Sequence, residues 1–185
     1  EVQLLDNIEL AGSYDFTGVT IDTKGYMVTV PDGQELVLTG GTTGVIKNTV
    51  AAEDSYGIAW SNNAKNRTIF DVRGTLTIDG GKYQTKGVAM MMVAGTSTIK
   101  GGAVLECNAQ TSEMSTSNNT SYDGASLISV TGTSGKLTVL DATINANVGN
   151  VQKTDGMYGI YVNLGGTLVL GDGTKNPSIS SMFRR

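Results

Sequence analysis

The chain has 185 residues, a formal net charge of −4 and a pI near 4.7, with 39% hydrophobic and 16% charged residues. The absence of His removes a His base, a His metal ligand and a Ser-His-Asp triad together, and the single Cys leaves no disulfide framework or Cys-rich zinc site. The acidic balance argues against a nucleic-acid partner, and the longest uncharged apolar run, Val88 to Ala94, falls far short of the roughly 20 residues of a membrane helix, so no membrane insertion is expected.

The chain opens Glu1-Val-Gln-Leu-Leu without an initiator Met, which reads as a mature or excised piece of a larger protein. Residues 1–25 form an opening segment. Five stretches then align: Met27-VTVPDGQELVL, Ile69-FDVRGTLTIDGG, Met90-MMVAGTSTIKGG, Leu127-ISVTGTSGKLTVLD and Gly159-IYVNLGGTLVLGDG. Each holds a short alternating strand, a turn containing Gly and a second alternating strand. The closest anchors, Val72 and Val93, imply a unit of about 21 residues, within the range of solenoid repeats.

Successive strand residues point to opposite faces. Taking Val30, Val72, Val93, Val130 and Val162 as one inward column places Val28, Phe70, Met91, Ile128 and Ile160 in the next. After the turn, the inward pairs are Leu36/Leu38, Leu76/Ile78, Ser97/Ile99, Leu137/Val139 and Leu168/Leu170, with Ser97 the one polar residue. Thr29, Asp71, Met92, Ser129 and Tyr161 then face outward. No segment sustains a helical period. One such unit cannot bury its own apolar face, so units must stack. The expected fold is a single all-β domain, a parallel β-helix solenoid of about five to seven coils. A meander or sandwich is the competing all-β reading. Gly40-Gly41, Gly80-Gly81 and Gly101-Gly102 suit sharp corners, because Gly reaches positive φ without penalty.

The opening EVQLLDNIELAGSYDFTGVTIDTKGYMVTVPDGQELVLTGG resembles the first segment of the pectate-lyase-like right-handed parallel β-helix. YGIYVNLGGTLVLGDGTKNPSIS is similar to a coil found in secreted or wall-anchored bacterial surface proteins of that kind. The resemblance implies a cell-surface or secreted setting. Its functions range over lyases, hydrolases, adhesins and stalks, so it speaks to fold more than to activity.

Two regions depart from the repeat. Residues 109–124 are a polar Ser/Thr/Asn-rich run expected to be a surface loop. Val50-AAEDSYGIAWSNNAKNR holds the only Trp, and Trp60, on one strand face with Tyr56 and Ile58, is read as a core residue. Cys107 reads as a small core hydrophobe.

Candidate chemistry is sparse. Enzymes of the resembled family work with clustered carboxylates on an outer face, joined in the hydrolases by His and an Arg-x-Lys and in the lyases by Ca²⁺ and an Arg or Lys base. Asp71 has only Thr29, Met92, Ser129 and Tyr161 as expected column neighbours, and Arg73 reads as its ion-pair partner. The Asp-Gly dipeptides at Asp32, Asp79, Asp123, Asp155 and Asp172 are turn formers, so no metal or other cofactor is expected. Thr75-Leu-Thr77 and Thr96-Ser-Thr98 could start a threonine ladder of the ice-binding type, which Lys136 and Val169 interrupt. Asp71, Arg73, Tyr161 and Asn163 are the expected ligand-binding strip, on which a sugar ring could stack. The expectation is a non-catalytic adhesion, binding or display module with a glycan or host-surface protein as partner, and end-to-end contact through uncapped coils. A polysaccharide-degrading enzyme and a passive stalk are the alternatives.

Overall fold

The computed structural model describes residues 1–31, 34–50, 56–60, 68–85, 90–107, 125–146 and 157–181. These form strands and turns, with no helix among the described residues. The first coil carries β1 (Val2–Gln3), β2 (Ile8–Glu9) and β3 (Tyr14–Asp15), and the second β4 (Thr20–Asp22), β5 (Val28–Val30) and β6 (Leu36–Leu38). The third holds β7 (Thr43–Lys47), β8 (Tyr56–Trp60) and β9 (Phe70–Val72); the fourth holds β10 (Thr75–Asp79), β11 (Lys82–Thr85) and β12 (Met91–Val93). Coil five has β13 (Thr96–Lys100), β14 (Val104–Cys107) and β15 (Ala125–Thr131), and coil six β16 (Lys136–Val139), β17 (Thr143–Ala146) and β18 (Met157–Asn163). β19 (Thr167–Leu170) and β20 (Ser178–Ser181) begin a seventh.

Every third strand pairs in parallel. Sheet A runs β1-β4-β7-β10-β13-β16-β19, sheet B runs β2-β5-β8-β11-β14-β17-β20, and sheet C runs β3-β6-β9-β12-β15-β18. The architecture is the expected stack of parallel coils, with three strands per coil where the sequence pattern showed two. The overlooked strand is that of sheet B.

The register corrects the first repeat. Val72, Val93, Val130 and Val162 do share an inward column of sheet C, but its next member is Leu38. Val30 belongs to sheet B, in register with Trp60. Thr29 goes with it, so the neighbour of Asp71 on that side is Val37. Leu36 and Leu38, expected beside Leu76 and Ile78, precede Phe70 and Val72 instead, and Gly44 and Ile46 take the expected place in sheet A. Gly40-Gly41 consequently lies at the corner from sheet C to sheet A, whereas Gly80-Gly81 and Gly101-Gly102 turn from sheet A to sheet B. At those two A-to-B corners all four glycines have positive φ, between 69° and 84°, where a Cβ would be strained.

One continuous core fills the interior. It includes Leu38, Val72, Val93 and Val130 from sheet C, Leu76, Ile78, Ile99 and Val139 from sheet A, and Tyr83, Leu105 and Ile144 from sheet B. Cys107 is buried with them, as expected. Trp60 pairs in register with Val30, but its side chain, like residues 109–124, lies outside the described residues. Sheet A is the most regular layer. Its outer face carries Thr43, Thr75, Thr96, Lys136 and Thr167 in one column, and Thr20, Val45, Thr77, Thr98, Thr138 and Val169 in the next.

Candidate functional site on the outer face of sheet C

Alternation breaks where the chain enters sheet C. Ile69 and Phe70, Met90 and Met91, and Leu127 and Ile128 are consecutive residues, yet all six are fully buried in the one core. A flat strand would send one of each pair outward, so the backbone bends there. The bend brings positions i and i+3 to the same side. Ser126 and Ser129 touch through their hydroxyls at 3.0 Å. One coil on, in register with them, the rings of Tyr158 and Tyr161 lie 5.9 Å apart and tilted by 35°.

Four residues were expected to form a binding strip, and the structure divides them into two pairs. Asp71 and Arg73 are in contact: the guanidinium reaches the carboxylate through Nη2 at 2.8 Å and Nε at 3.1 Å. Asp71 is nearly covered, whereas the Arg73 side chain is 63% exposed. The hydrogen bond to Asp71, then its charge, pushes the guanidinium pKa up; the charge of Glu35 acts in the same direction. Tyr161 and Asn163 lie on β18, and the column from Tyr161 runs through Ser129 and Met92 before it reaches Asp71. Three strand spacings separate the two pairs, about 14 Å. Asn163 Oδ1 is buried and finds no hydrogen-bond partner, so that amide oxygen is not presented to solvent.

Tyr158 is the residue the sequence reading missed. Strict alternation assigns it to the face opposite Tyr161. The signal was Gly159 between them, since a glycine inside a strand marks a bend or bulge.

The face offers an aromatic pair, two buried hydroxyls and one neutralised ion pair. The immediate column neighbours of Asp71 are Val37 and Met92. Among the described residues, no group of three or more His, Cys, Asp or Glu is placed to hold a metal ion.

Fold and face together define an all-β stack of parallel coils with a mixed aromatic and polar outer strip. No family model, curated protein or solved structure matches the chain.

Proposed function

We propose that the chain is a non-catalytic binding or display module of a secreted or cell-surface protein, engaging glycan on the outer face of sheet C. The observation that carries this reading is the Tyr158–Tyr161 ring pair on β18, the strand next to the buried Ser126–Ser129 pair. Aromatic faces take the apolar C–H face of a sugar ring. The resemblance to pectate-lyase-like coils of surface proteins supports the setting. A polysaccharide-degrading enzyme and a passive stalk remain the alternatives, and end-to-end contact between coils is a further mode of association.

A glycan-array screen of the purified domain, with and without Ca²⁺, tests the reading. A saturable, ligand-specific signal with no product release is expected. Calcium-dependent cleavage of a bound polysaccharide would replace binding with catalysis, and a blank array would leave the stalk.

A further inference from the structure

We infer that the stack lengthens by head-to-tail contact with a second copy of the chain, the last coil of one molecule receiving the first coil of the next. The inference rests on the end-to-end contact named above, to which it gives a partner and a direction, and it is independent of glycan binding. One interior column of sheet A runs from Val2 through Ile46, Ile78 and Ile99 to Leu170. The three isoleucines are fully buried, whereas Val2 and Leu170 are each 51% exposed. Sheet B repeats the pattern. Ile8 pairs with buried Val28 at one end and Ile179 with buried Ile144 at the other, and both end residues are exposed.

Among the described strands, β1 and β2 pair only with β4 and β5, and β19 and β20 only with β16 and β17. Their outer edges can template a further strand. Placing β1 of a second copy on β19, and its β2 on β20, continues both parallel ladders and both apolar columns, the same contact that joins successive coils within the chain. Turning that copy over would run the strands antiparallel and, with sheet A on sheet A, set sheet B against sheet C. Charge selects the same direction. Residues 1–19 carry Glu1, Asp6, Glu9 and Asp15 with no Lys or Arg, whereas residues 164–185 carry Lys175, Arg184 and Arg185 against Asp172. Two first coils repel each other, while a first coil on a last coil brings opposite signs together. A heterologous contact of this kind leaves a free end on each side, so growth continues past two copies.

The experiment is sedimentation velocity across a wide range of protein concentration, with melting temperature to verify that each variant folds. The parent should pass from monomer through dimer to longer species. Ile8→Asp, which spoils the first coil, and Leu170→Lys, which spoils the last, should each remain monomeric, with melting close to that of the dilute parent because both side chains are exposed. Mixed in equal amounts, the two should form a dimer and stop there, since one intact first coil meets one intact last coil. Val2→Asp and Ile179→Lys form a second such pair on the other two end positions and should behave alike. A parent that stops at dimer, with one of the variants still dimerising alone, would overturn the direction and leave end-to-end contact standing. Growth indifferent to all four substitutions would place association elsewhere and overturn the inference. A parent that stays monomeric at every concentration would remove end-to-end contact altogether.

Discussion

Two buried hydroxyls in the core lack the partner that burial normally demands. Tyr83 is fully enclosed, its ring 6.2 Å from that of Phe70, and its hydroxyl makes no hydrogen bond. Burial pushes its pKa far up, so it is neutral at any ordinary pH. Ser97 Oγ is in the same position, between Leu76 and Leu137 in register. A hydroxyl buried without a partner costs about 1–3 kcal/mol. Tyr83→Phe removes that cost and keeps the ring, so a melting temperature equal to or above the parent is expected. A clear loss of stability on calorimetry would mean that the hydroxyl does have a partner. Asp22 shows the opposite treatment. Burial acts to raise its pKa, but donors from Thr49 and the backbone amides of Lys24 and Thr49 outweigh it and hold the carboxyl below its ordinary 3.8.

At the scale of strands and corners, glycine does two different jobs. At Gly80-Gly81 it supplies backbone conformation. At the corner from sheet C to sheet A, Gly74, Gly95, Gly135 and Gly166 supply room, none of them at positive φ, beside Gly41, Gly132 and Gly165, which do take positive φ. A Cβ on Gly95 would lie 2.2 Å from the carbonyl oxygen of Gly74, and one on Gly135 2.4 Å from that of Thr131. Successive coils are joined there by hydrogen bonds from Thr96 N to Gly74 O and from Lys136 N to Gly95 O. Gly95→Ala should therefore cost about 1–3 kcal/mol by forcing coils apart. Gly40→Ala, where the new methyl would come no closer than 3.6 Å to a neighbour, should cost far less. Chemical denaturation of the two variants separates these outcomes, and equal effects would refute the close approach.

The same scale explains what could be read in advance. Sheet C and sheet A were legible from Phe70 onward because most of their inward residues are large, apolar and set at alternate positions. Sheet B was not. Its inward residues include Tyr83, Thr85, Cys107 and Ala146, a mixture of polar and small side chains with a weak apolar signature. The slip of the first repeat has an equally local cause. Val28–Val30 and Leu36–Leu38 both alternate, and period two does not say to which of three sheets a strand belongs. The strand that would have revealed the error, β7, has Gly44 at an inward position; a Cβ there would lie 2.7 Å from the Phe16 ring, so an aromatic from the coil below fills the space. At the candidate site, Asp71 with Arg73 was legible as a neighbouring pair. The Tyr158–Tyr161 contact was not, because it depends on a bend that no alternating pattern contains.

Across the whole molecule the interior is driest in the middle coils. Val93 and Val130 are 0% exposed, whereas Val162, in the same column, is 37% exposed. Leu170 is 51% exposed, but Val139, its neighbour one coil earlier, is 0%. Coils in such a stack are held by their neighbours, so stability is a sum of local and nearest-neighbour contributions. Val130→Asp places an unpaired carboxylate among Val93, Val162 and the core, at a cost of several kcal/mol. It should lower the melting temperature severely or prevent folding. Val162→Asp, one coil on, should be tolerated much better because water reaches it. Equal melting temperatures for the two variants would refute the gradient of burial along the column.

The parallel pairing also gives the protein a mechanical direction. Hydrogen bonds between coils point along the stacking axis, while the polypeptide winds across it. A load pulling on the two ends of the chain therefore never stretches all the bonds of one sheet at once. It meets the bonds of one coil boundary, then the next, so turn-by-turn unspooling is the expected response. Pressure along the axis, by contrast, is borne by three sheets in parallel over a close-packed interior. Such a module resists compression far better than peeling.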